Sequence, residues 1–162
     1  MSSCELPPFD AALAHRHFSV ECFNRTWKLM DTPTRAPEDD DAMVLAAAAS
    51  LWHWTQRADC TERNLSVGHW QVSRAYALLG RGEEAMWHAE RCLARSQGLP
   101  PFYLAYAHEA VARAALAAAD AGRLRDHLEQ ARRHAAAVTD DAERGLLEKD
   151  LSDLAGAAGP AA

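Results

Sequence analysis

The stretch Ser73 to Leu93, SRAYALLGRGEEAMWHAERCL, limits the fold more than any other part of the chain. Ser73 precedes Tyr76 by three residues, Gly80 and Gly82 follow, and Ala85, Ala89 and Cys92 then recur at steps of four and three. Such steps place side chains on one face of an α-helix. The two glycines interrupt the chain between the two faces. Small residues on both faces let the helix backbones approach closely, so this stretch predicts two antiparallel helices packed with almost no gap.

The rest of the chain reads the same way. No segment sustains the two-residue alternation of a strand, and Pro, Gly and Asp clusters cut the sequence into helical lengths. Helices are expected over residues 9–31, 39–57, 67–79, 83–97, 102–119, 124–138 and 141–155. The first carries an apolar stripe of Leu13, Val20, Phe23, Trp27 and Met30. Ser66 is the expected N-cap of the third helix and Gly122 the turn before the sixth. The fold class is therefore all-α, about seven helices in antiparallel hairpins. Residues 1–8 are expected to be a flexible N-terminus, 9–155 a single helical domain and 156–162 a disordered tail.

Composition narrows the function classes. A formal net charge of −6 argues against a nucleic-acid partner, which wants a basic patch. The most apolar window, AMVLAAAASLW, is too short to span a bilayer, and the N-terminus lacks a basic segment followed by an apolar one. A cytoplasmic protein with no membrane contact is expected. Alanine and arginine usage suggests a bacterial source with a GC-rich genome. Cys4, Cys22, Cys60 and Cys92 form no zinc-ligand spacing and read as free thiols. G-x-S-x-G, Walker and G-x-G-x-x-G motifs are absent from the sequence, so no catalytic residue and no cofactor is assigned.

From Gly68 to Pro101 the sequence resembles a tetratricopeptide repeat, a 34-residue helix-turn-helix. Ser73 stands at the family's small position in the first helix, Tyr76 at its aromatic position and Gly80 at its turn. Ala85, Ala89 and Cys92 stand at the small positions of the second helix. His69 replaces the usual large aromatic, with Trp70 beside it. A weaker copy runs through Ala112, Ala115, Ala119, Leu124, Leu128 and Ala131, offset by 39 residues from Cys92 to Ala131. The resemblance implies a right-handed superhelix of hairpins that acts through the groove formed by its first helices. Few hairpins with open ends imply self-association, most simply a homodimer.

Carried onto this sequence, the family geometry points Trp70, Arg74, Tyr106, Glu109 and Arg113 into that groove. Arginines beside aromatics suit an acidic or C-terminal peptide, since a guanidinium grips a carboxylate in bidentate fashion. The expected function is thus a non-catalytic module for a peptide or protein partner. The competing expectation is that Arg74 and Glu109 pair with each other. A second reading takes the Trp- and His-rich interior as a pocket for a small molecule or metal, or as the pocket of an enzyme. In it Asn24, His53, Arg74, His88 and Glu109 form one buried polar network. No metal ligand set is assigned, because no H-x-x-x-H spacing occurs and His127 and His134 lie two turns apart.

Overall fold

The structure is a computed structural model that describes residues 9–159. All regular structure among them is helical: α1 (Ala11–Met30), α2 (Pro37–Thr55), α3 (Glu62–Leu78), α4 (Gly82–Arg95), α5 (Pro101–Ala117), α6 (Ala121–Ala135) and α7 (Asp141–Ala157). The chain divides into two compact units, Met1–Cys60 and Thr61–Ala162. The expected flexible segment 1–8 lies outside the described residues, as do 160–162; Gly156 and Ala157 complete α7.

In the first unit α1 and α2 form a long hairpin. The Asp10 carboxylate accepts from Leu13 N at 3.0 Å and starts α1. Pro37 opens α2, and Glu38, Asp39 and Asp40 fill its first turn, where the helix end is positive. The expected stripe of α1 is corrected at its first two members, while Phe23, Trp27 and Met30 are half-buried. Leu13 is 64% and Val20 47% exposed, and the fully buried residues of α1 are Ser19 and Thr26. The reason is closeness: Ser50 Oγ donates to the Ser19 carbonyl at 2.7 Å. At that spacing only a short side chain fits, and a hydroxyl can satisfy itself locally. Thr26 does so by donating to the Cys22 carbonyl at 2.9 Å.

In the second unit α3 pairs with α4 and α5 with α6, while α3 and α4 both pack on α5 and α7 closes over α5 and α6. Thr61 begins α3, its hydroxyl accepting from Asn64 N and the Asn64 side-chain oxygen accepting from Thr61 N. This moves the start of α3 upstream of the expected cap. Ser66 is buried inside the helix, with its hydroxyl 2.7 Å from Oγ of Ser96, the residue that caps the end of α4. Gly122 likewise lies within α6. The turn before α6 is made by Ala119, at φ 58°, and Asp120 caps the helix on Arg123 N.

The hairpin of the opening stretch closes as its small residues require. Ser73 Oγ donates to the Ala85 carbonyl at 2.9 Å, and Ala85, Ala89 and Cys92 are buried. Helix α5 is touched on several sides, which explains its composition. Ala105, Ala107, Ala110, Ala112, Ala114 and Ala115 are all buried around it. A helix enclosed that far loses any one-sided polarity and must be slim to admit its neighbours. Gly82 has the same cause, since a Cβ there would meet Ala118 N at 2.6 Å.

The two hairpins of this unit share a 39-residue register. It relates His69 to His108, Arg74 to Arg113, Gly80 to Ala119, Gly82 to Ala121 and His88 to His127. Gly82 is buried against the end of α5, whereas Ala121 is exposed.

Candidate functional site

Five of the expected site residues meet in the second unit. Glu109, on α5, is completely buried. One of its carboxylate oxygens accepts from Trp70 Nε1 at 3.0 Å. The other accepts from Arg113 Nε at 2.6 Å and lies 3.5 Å from Arg74 Nη1. Arg113 reaches Glu109 from one turn along the same helix, and Trp70 and Arg74 come from one face of α3. A carboxylate this deep is costly unless paired and hydrogen-bonded, and these donors meet that need. Arg74 and Glu109 therefore face each other.

Tyr106 completes the group. Its ring meets Trp70 edge-on at 5.5 Å between centroids and Phe102 at 5.1 Å. The Arg74 guanidinium carbon lies 5.2 Å from the Trp70 ring centre.

Sequence reasoning missed one member, Asp150 of α7. Its carboxylate accepts from Tyr106 Oη at 3.1 Å and from Arg74 Nη2 at 3.4 Å. Burial, followed by the charge of Asp150, pushes the Tyr106 hydroxyl well above its ordinary range and keeps it a donor. Asp153 sits on the same helix. Lys149 beside it holds its carboxyl low, with weaker help from Arg113 and Arg74. The signal for Asp150 was present in the sequence only as one more acid on an acidic helix. Nothing local says which acid meets an arginine seventy-six residues away.

Of the remaining expected residues, Asn24 and His53 belong to the first unit, and His88 of the second takes other partners. Asn24 is exposed on α1. His53 pairs with His15 at 2.8 Å between Nδ1 atoms. His88 pairs with His69 at 3.0 Å and stacks on Tyr76 with centroids 6.0 Å apart. Tyr76, Glu83, Glu84, Trp87 and His88 line an open cleft of about 490 Å³.

Cys92 is not an activated nucleophile. Cys92, one turn from His88, is buried among Ser66 and Ser96, and burial pushes its thiol up to about 11. A reactive thiolate needs the opposite shift. Among the described residues no helix is long and apolar enough to cross a membrane. The chain finds no match among family models, curated proteins or solved structures.

Proposed function

We propose that the unit Thr61–Ala162 is a non-catalytic interaction module of the tetratricopeptide-like kind. Its Trp70, Arg74, Tyr106 and Arg113 face receives an acidic segment of a protein partner. One observation carries this reading: the chain already places a carboxylate there, that of Asp150, on Arg74 and Tyr106. Glu109 holds both guanidiniums in position from beneath, so the outer side of Arg74 is left for an acid. The helix that brings Asp150 buries Leu147, Leu151 and Leu154 and leaves Asp141, Glu143, Glu148 and Asp153 exposed, with Asp150 at the edge of the buried side. That is the pattern of a helix laid in a groove. A partner of this class presents an acidic amphipathic helix in place of α7.

The test uses the chain's own helix as probe. The double variant Leu147→Ala, Leu151→Ala weakens the docking of α7. A labelled peptide spanning residues 141–157 should then bind it, with affinity falling at least tenfold when Arg74→Glu is added. Circular dichroism should show helical content unchanged by that third substitution. Peptide binding insensitive to Arg74→Glu would overturn the reading, as would its absence in a well-folded double variant.

A further inference from the structure

Three histidine pairs occupy one structural register. The Nδ1 atoms are 2.8 Å apart for His15 and His53, 3.0 Å for His69 and His88, and 3.0 Å for His108 and His127. In the first two hairpins the helices touch at Ser19 with Ser50 and at Ser73 with Ala85. In both, one histidine stands four residues before the first contact residue and the other three residues after the second. The 39-residue register carries the same placement to the third hairpin. A pairing found once can be an accident of packing; the same pairing in three hairpins is a built feature.

In each pair one Nδ1–H donates to the other Nδ1, so two imidazole nitrogens point at one small space. Late first-row divalent ions bind neutral imidazole at about 2.0–2.1 Å. Two nitrogens 3.0 Å apart on one such ion subtend roughly 94°. That angle fits the cis edge of a tetragonal ion, whereas a tetrahedral one wants nitrogens about 3.4 Å apart.

The surrounding charges weigh against the His69–His88 pair. Arg91 and Arg95 bear on His69, and Arg91 on His88, which repels a cation. Around His127 the cation Arg123 is offset by the carboxylates of Asp126 and Glu90. A third imidazole is also at hand, since His134 stacks on His108 with centroids 5.4 Å apart and planes 9° from parallel. Among the described residues no three ligand side chains already converge on one point. The site is therefore a two-histidine one completed by water.

We propose that His108 and His127 bind a tetragonal divalent ion, Ni²⁺ or Cu²⁺, between their Nδ1 atoms. The ion takes the place of the hydrogen bond, and the former donor ring carries its proton on Nε2. The charge of the pair is unchanged apart from the ion.

Ni²⁺ is the probe, because it spares the free thiols from oxidation by copper. It is titrated calorimetrically into the full chain bearing no histidine tag. His108→Asn and His127→Asn should each remove one equivalent from the tightest class of sites. His17→Asn, at an exposed histidine outside the three pairs, should remove none. Equal uptake by the wild type and both pair variants overturns the proposal. A readout on the wild type covers the case in which a variant fails to fold. Substoichiometric Ni²⁺ should broaden the imidazole proton resonances of His108 and His127 before those of any other histidine. Earlier broadening at another histidine also overturns it.

Discussion

At the scale of single residues, the two turns of the second unit make opposite experiments. Gly80 and Ala119 hold equivalent places and both have positive φ, 70° and 58°. Only glycine adopts that region without steric cost, so the second turn carries strain that the first lacks. Ala119→Gly should raise stability by about 0.5–1 kcal/mol, and Gly80→Ala should lower it by about 1 kcal/mol, read from urea midpoints. Glu109 answers a different question. Glu109→Ala leaves two partly buried guanidiniums and the Trp70 N–H without their acceptor, and should cost about 3–5 kcal/mol. A loss under 1 kcal/mol in chemical denaturation would mean that the buried carboxylate is not what holds α3 to α5.

At the scale of helices, spacing by small residues decides which faces meet. Ala89 is fully buried where α4 meets its neighbours. Ala89→Leu inserts atoms into a filled contact and should destabilise the chain by about 1–3 kcal/mol. A thermal midpoint that does not move would show that no tight contact exists there. This part of the fold was legible in the sequence, because the steps of Ser73, Ala85, Ala89 and Cys92 encode closeness directly. The face of α1 was not. Leu13 and Val20 were expected in the stripe by hydrophobicity, yet backbone proximity at Ser19 and Ser50 overrode it there. Hydrophobic periodicity assumes that burial goes to large side chains, and a close helix crossing inverts that rule. The site was half legible for a related reason. Trp70, Arg74, Tyr106, Glu109 and Arg113 follow helical spacing within two helices, whereas Asp150 enters through tertiary packing alone.

At the scale of the whole chain, the histidines set a pH dependence. Burial is the first cause holding His69, His88 and His108 down to about 4, and it also lowers His53 and His127. In the unfolded chain the same rings return to an ordinary value near 6.5. Between those limits the unfolded state binds more protons than the folded one, so stability rises with pH there. It is fully present above pH 6.5 and drains away as pH falls toward 4. Urea midpoints should therefore drop already between pH 6.5 and 5, above the range in which most carboxylates titrate. Replacing both His69 and His88 by Asn should flatten that slope, and an unchanged slope would place the acid sensitivity elsewhere.

The 39-residue register has one more consequence. Each α-hairpin of the second unit brings its own turn, its own imidazole couple and its own inward guanidinium, and asks of its successor only a slim first helix. A gene in which the segment 62–100 is duplicated in tandem should thus yield a taller stack, one storey added for each copy, with α7 still serving as the roof.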